Sequence, residues 1–237
     1  MNAPELIVAL DVPAFEDARR VLDALDGLPI VYKVGFEAFC AYGDAIRDEI
    51  EQRRQTYFLD IKLHDIPNTV ARAIRAVVRP GARIIDVHAL GGSEMMQAAV
   101  EASEQRAAEL GIDPPEIFAV TILTSIAPED LRELGLTGGP GENAIRLAAL
   151  ARDARCSGVI CSPQEVRDLK SFFGTDFKTL TPGIRPAESP HGDQKRVMTP
   201  REAREAGTDY IVVGRPILES ADMRATAQAI LRDLVPA

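Results

Sequence analysis

The feature that most limits what this chain can become is an eightfold alternation. Short apolar runs at Leu6–Leu10, Ile30–Val34, Tyr57–Ile61, Ile84–Val87, Ile117–Leu123, Val159–Cys161, Lys178–Leu180 and Tyr210–Val213 are separated by longer amphipathic stretches, among them FEDARRVLDAL, NTVARAIRAVV and SEMMQAAVEASEQRAAEL. Strand followed by helix, repeated, implies parallel strands joined by helical crossovers. Eight such units in 237 residues predict an α/β protein built as a single closed (β/α)8 TIM barrel, a fold that usually takes about 250 residues. No linker-like or low-complexity segment divides the chain, so residues 1–237 read as one domain.

The longest irregular stretch, TPGIRPAESPHGDQKRVMTP, follows the seventh run. In such a barrel the C-terminal strand ends build the active site, and phosphate tends to bind after strands seven and eight. Long structureless segments in compact domains are usually functional or disordered. The segment at about 182–199 is therefore expected to be a mobile loop over a ligand.

The net charge of −9 argues against a nucleic-acid or membrane-surface binder, which would present a basic face. It does not exclude a small anion held by a few Arg and Lys side chains. Cys40, Cys156 and Cys161 are odd in number and scattered, and fit neither a disulfide framework nor a zinc site. They are expected to be buried or half-buried free thiols. The N-terminus, MNAPELIVALDVP, shows no basic segment followed by a long apolar run and a cleavage site, so no secretion signal is expected, and no apolar stretch approaches the ~20 residues of a membrane helix. A cytoplasmic location is the expectation.

Charged residues interrupt the apolar runs at their C-terminal ends. Asp11 closes LIVALD, Lys33 sits in IVYKVG, Asp60 and Lys62 bracket Ile61, Asp65 lies just beyond, and Arg215 follows IVVG. Strand alternation puts Phe58, Asp60 and Lys62 on one face and Leu59 and Ile61 on the other. A charged pair aimed into a barrel is costly unless partnered or functional. A buried structural ion pair would satisfy Asp60 and Lys62 alone; with Lys33 on the adjacent strand and Asp65 nearby, packing no longer accounts for the set.

These residues carry a resemblance. DIKLHDIPNT at 60–69, with ALD at 9–11, YKVG at 32–35, VTILTS at 120–125, TPGIRP at 181–186, GDQKR at 192–196 and VVGRPI at 212–217, is similar to the orotidine 5'-phosphate decarboxylase family over nearly the whole chain. The resemblance implies decarboxylation of orotidine 5'-phosphate to uridine 5'-phosphate without a metal or organic cofactor. It further implies that Asp11 and Lys33 contact the ribose hydroxyls, Asp60 sits beside the substrate carboxylate, and Lys62 donates the proton to C6. Thr124 would read the pyrimidine edge, and Gln194 would bridge base and phosphate. Arg185, Gly214 and Arg215 would serve the phosphate. Asp65, Ile66 and Thr69 would come from the partner subunit of a homodimer with shared sites.

Sister sugar-phosphate enzymes on the same barrel share the Asp–x–Lys–x–x–Asp pattern but hold Mg²⁺ through a glutamate on the second strand. Lys33 occupies that place here, and its cation would repel the metal. A catalytically silent nucleotide-phosphate binder is the rival from another class, since fold does not dictate function; the retained Lys62 and its charged partners speak against it. Of the remaining conspicuous residues, His88 is expected to be hydrogen-bonded and structural, His64 to pack in a loop, His191 to be solvated, and Met95 and Met96 to lie in the core.

Overall fold

The structure, a computed structural model, describes residues 3–186 and 198–235. Eight parallel strands pair in sequence order and close into a ring: β1 (Glu5–Ala9), β2 (Ile30–Val34), β3 (Tyr57–Leu63), β4 (Ala82–His88), β5 (Glu116–Val120), β6 (Gly158–Ile160), β7 (Lys178–Thr181) and β8 (Tyr210–Val213). β8 returns to pair with β1 through Glu5↔Tyr210 to Val8↔Val213. The expected barrel is present: β2 and β8 fall on the expected residues, and the ends of the other strands differ by at most three. The fifth run stops at Val120 rather than Leu123, and the first spans Glu5–Ala9.

The period of two along each strand divides the core in two. Ile7, Val31, Phe58, Ile84, Phe118, Leu180 and Val212 fill the barrel interior. Leu6, Val8, Tyr32, Leu59, Ile85 and Val159 point outward and pack under the helices.

The helices are α1 (Phe15–Ala24), α2 (Phe36–Tyr42), α3 (Asp44–Gln52), α4 (Pro67–Val77), α5 (Ser93–Leu110), α6 (Pro128–Glu133), α7 (Pro140–Asp153), α8 (Val166–Phe173), α9 (Pro200–Ala206), α10 (Arg215–Leu218) and α11 (Met223–Leu234). α4 shows why such stretches are helical. Pro67 stands in its first turn, and Val70, Ile74 and Val77 bury one stripe against the barrel. α9 opens on a capping box: Glu202 Oε2 accepts the Thr199 N–H at 2.8 Å, and Thr199 Oγ1 accepts the Glu202 N–H at 3.3 Å. Three short helices, α2, α6 and α10, decorate the strand-to-helix connections beyond one helix per strand. Gly43, at φ +55, separates α2 from α3.

Met95 and Met96 are fully buried. Of the three free thiols Cys156 and Cys161 are buried, whereas Cys40 is exposed, contrary to expectation, because it lies on the short α2 at the periphery. Among the described residues no helix is long and apolar enough to cross a membrane.

Candidate active site

The C-terminal mouth of the barrel opens into a cavity of about 590 Å³. Three adjacent strands bring four charged side chains to one wall of it. Lys33 Nζ on β2 lies 3.0 Å from Asp60 Oδ2 on β3 and 3.4 Å from Asp11 Oδ1 beyond β1. Lys62 Nζ donates to Asp60 Oδ1. Asp11, Lys33, Asp60 and Lys62 thus form a chain of alternating sign. Gly35 makes room for it: a Cβ there would stand 2.5 Å from Asp11 Oδ1 and 2.7 Å from Lys33 Nζ.

The members differ in access to solvent. The side chains of Lys33 and Asp60 are each 12% exposed, whereas Lys62 at 39% and Asp11 at 49% form the open ends, so of the two lysines Lys62 is the one presented to an incoming molecule. Burial opposes charge on Lys33, but Asp60 and Asp11 outweigh it and hold the ammonium above its ordinary value. Burial likewise opposes ionisation of Asp60, and Lys33 and then Lys62 reverse that, holding its carboxyl below the usual range. The two buried charges are stable only as a set.

Lys62 reaches Asp60 by a route that strand alternation does not describe. The β3–β4 register runs Leu59↔Ile85 and resumes at Leu63↔Val87. Three residues, Asp60, Ile61 and Lys62, therefore oppose the single residue Asp86, and Lys62 adopts φ +47. A side chain satisfies two successive amides in this bulge. Asp86 Oδ1 accepts the N–H of Ile61 at 3.0 Å and of Lys62 at 2.8 Å. Asp86 is wholly buried, and burial, reinforced by neighbouring Asp60, drives its carboxyl well above the usual range. In the sequence Asp86 is concealed within the otherwise apolar run Ile84–Val87. Its signal was there: a carboxylate two residues past the inward-facing Ile84, on the interior side of a strand.

Across the barrel from β3 lie β7 and β8, and there the cavity is lined by Arg185, Gly214 and Arg215. Arg185 is buried, with Nη1 donating to the Ile184 carbonyl at 3.1 Å. Gly214 has φ −119 and ψ −100 ahead of α10, whose first residue is Arg215. Thr124, after β5, lines the wall between the two charged regions. The ends of the segment that follows β7 are tied together. Ile184 and Met198 form an isolated parallel bridge, and the Arg185 N–H donates to the Met198 carbonyl at 3.0 Å. Gln194, His191 and the remainder of 187–197, and with them the expected loop motion, lie outside the described residues.

Asp65, Ile66 and Thr69 do not line the cavity with Asp60 and Lys62. All three are exposed, and Asp65 Oδ1 accepts the N–H of Ile66 at 2.6 Å. His88 is hydrogen-bonded: Nδ1 accepts the Leu90 N–H at 3.3 Å. Its ring stacks on His64 with centroids 5.3 Å apart. Burial, then the nearby His64 and Lys62, lowers it to about 4. Among the described residues no group of three or more His, Cys, Asp and Glu side chains is arranged to hold a metal ion.

Residues 4–230 match the model of the "Orotidine 5'-phosphate decarboxylase / HUMPS family". A protein of Idiomarina loihiensis called orotidine 5'-phosphate decarboxylase is 47% identical over 236 residues, covering 99% of both chains. One of the same name from Moorella thermoacetica is 46% identical, covering 97% of this chain and 92% of its own. The crystal structure of orotidine 5'-phosphate decarboxylase from Lactobacillus acidophilus superposes with a TM-score of 0.88 at 38% identity, over 98% of this chain and 100% of that one.

Proposed function

The chain belongs to the orotidine 5'-phosphate decarboxylase / HUMPS family, and from that premise we propose that it converts orotidine 5'-phosphate to uridine 5'-phosphate in pyrimidine biosynthesis. The observation that carries this reading is the Asp11–Lys33–Asp60–Lys62 chain facing a cavity whose opposite side bears Arg185 and Arg215. A monoanionic reacting centre at one end and a phosphate at the other suit that polarity.

Loss of CO₂ leaves an electron pair in the plane of the pyrimidine at C6, out of reach of the ring π system. The Lys62 ammonium placed at that carbon stabilises the charge and then delivers the proton. A Schiff-base role, which needs a neutral amine, does not suit a lysine bonded to a carboxylate. Asp60 stands beside the substrate carboxylate, and their repulsion is relieved as CO₂ departs. At ~4 Å and an effective dielectric near 20 this is worth roughly 4 kcal/mol, about a thousandfold. The larger share comes from stabilising the carbanion and from phosphate binding energy used to organise the site.

Asp11 and Lys33 hold the ribose hydroxyls, Thr124 the pyrimidine edge, Arg185, Gly214 and Arg215 the phosphate, and Gln194 bridges base and phosphate. Asp65, Ile66 and Thr69 serve the neighbouring subunit's site in a homodimer. Two observations support that arrangement. Asp65 is exposed and absent from its own cavity wall. Around the same rim Phe36, Ile66 and Leu90 expose large apolar side chains, and a second copy would cover them.

No cofactor takes part. Lys33 and Lys62 already pair with the Asp11 and Asp60 carboxylates that a divalent cation would need, which separates this site from a Mg²⁺-dependent sugar-phosphate enzyme of the same family. The test is loss of orotidine 5'-phosphate absorbance in the presence of chelator. Activity is expected to be unaffected; activity that vanishes and returns with Mg²⁺ would point to the sister chemistry.

A further inference from the structure

We propose that Asp86 is the positioning residue for Lys62: its carboxyl pins the β3 bulge that delivers the lysine ammonium into the cavity. This inference rests on the decarboxylase reading for its kinetic consequences, but its geometric half stands without it.

Within β3 the parallel ladder to β4 is interrupted between Leu59 and Leu63, and buried N–H groups left without acceptors are strongly destabilising. Asp86 Oδ1 takes the N–H groups of both Ile61 and Lys62. One side-chain atom thereby satisfies two successive amides and fixes the only segment of β3 with a left-handed residue. A lysine has no intrinsic preference for φ +47, so something in the surroundings must select it. Asp86 is the group in contact with that amide, and it enters from inside the barrel with its own side chain fully buried.

The consequence is directional. With regular alternation the Lys62 side chain would leave the strand at another angle and its ammonium would lose register with Asp60 and with the reacting carbon. Displacement of about an ångström at a reacting group is enough to cost about a hundredfold in rate. Asp86 does not line the cavity itself, so its removal should leave the ribose, pyrimidine and phosphate contacts in place. What the bulge needs from this position is an acceptor, not a negative charge. The carboxyl is also pushed towards its neutral form by burial and by Asp60.

The experiment compares Asp86→Asn with Asp86→Val in the full-length protein. The asparagine carbonyl accepts the same two N–H groups, while its amide can donate towards Asp60. It should retain turnover within about threefold of wild type. The valine removes the acceptor at similar size, and kcat should fall by about a hundredfold with KM changed little. A purely structural role would instead lower thermal stability and leave kcat per folded site unchanged below the melting temperature. Asp86→Ser, which shortens the acceptor, carries the same kinetic comparison if the valine variant does not fold. Hydrogen exchange at the Ile61 and Lys62 amides is the readout independent of substrate. Protection should persist in the asparagine variant and be lost in the valine or serine variant. Wild-type kcat in folded Asp86→Val or Asp86→Ser, unchanged amide protection in either, or an asparagine variant as slow as valine would each overturn the proposal. A wild-type protein inert towards orotidine 5'-phosphate would count against the activity alone, leaving the exchange result to judge Asp86.

Discussion

Asp60 and Asp86, on the neighbouring strands β3 and β4, are shifted in opposite directions from the ordinary carboxylate value, and the pH dependence of stability should show both. Asp60 is held below its ordinary value by Lys33 and Lys62 against the pull of burial. Its contribution is therefore present above the unfolded carboxylate value of about 3.9 and is lost as pH falls through the depressed folded value. Asp86 is raised by burial and by Asp60, with Lys62 acting the other way. Its contribution is full below about 3.9 and declines as pH rises towards the folded value. Asp86→Asn removes that second titration, so its stability advantage over wild type should widen from pH 4 upward by as much as about 1.4 kcal/mol per pH unit, then level off. Urea unfolding at a series of pH values measures this; a gap independent of pH would show that Asp86 is ionised in the fold. Gly35 offers a separate test. Its backbone is unstrained, so Gly35→Ala should fold normally. Its Cβ would nonetheless crowd Asp11 Oδ1 and Lys33 Nζ. Moving the Asp11–Lys33 pair should raise KM and lower kcat, together costing at least about tenfold in kcat/KM. Lys62→Ala should abolish decarboxylation while uridine 5'-phosphate still binds, as calorimetry can check, because Asp11, Lys33, Arg185 and Arg215, proposed to hold ribose and phosphate, stand on or beyond other strands. Near-normal turnover in that variant would remove Lys62 from the proton-donor role.

At the scale of elements, the strands and the main helices were legible because periodicity reports burial directly. The alternation of Leu6 outward and Ile7 inward, or the Val70–Ile74–Val77 stripe of α4, is written in spacing. The site was legible only where charge broke an apolar run at a strand end, as at Asp11, Lys33, Asp60 and Lys62. The bulge was not, because register belongs to two strands at once and Asp86 meets Lys62 from 24 residues away. The floor of the barrel was hidden for the same reason. Arg83 pairs with Glu5 at 2.6 Å and Lys178 with Glu116 at 2.6 Å, while the Tyr210 hydroxyl donates to Glu116 at 3.2 Å. The β7–β8 pairing has the shortest register of the ring, Leu180↔Tyr210 and Thr181↔Ile211. Side chains reinforce it. Asp209 Oδ2 accepts the Thr179 N–H at 2.7 Å and the Lys170 ammonium at 2.7 Å, and Thr208 Oγ1 donates to the Thr179 carbonyl at 3.2 Å. Asp209→Ala should lower unfolding free energy by about 1–3 kcal/mol, mostly through the orphaned N–H, since the ion pair is partly solvated. Chemical denaturation measures it, and turnover at low temperature should be unaffected.

For the molecule as a whole, the decisive question is whether a site belongs to one chain or two. Lys62→Ala and Asp65→Ala subunits, each inactive alone, should regain activity when mixed under exchange conditions. Each mixed dimer would carry one site with both lesions and one with neither. With equal amounts and random pairing, half the dimers are mixed and one of their two sites is whole, so about a quarter of wild-type activity should return. No recovery, with exchange confirmed by mass spectrometry, would confine Asp65 to its own chain. The closure of the strand ring has a bearing on durability as well. Every strand lies between two neighbours, so none can leave without breaking two ladders, and the intact barrel offers no free edge to a passing chain. Once the short β7–β8 pairing parts, two edges appear together, each a template for strand addition from another molecule. Shelf life in warm solution is then a matter of how often a latch opens rather than of how much oil lies inside. Substitutions at that latch should set the clumping half-time in heated samples long before they alter the folded population.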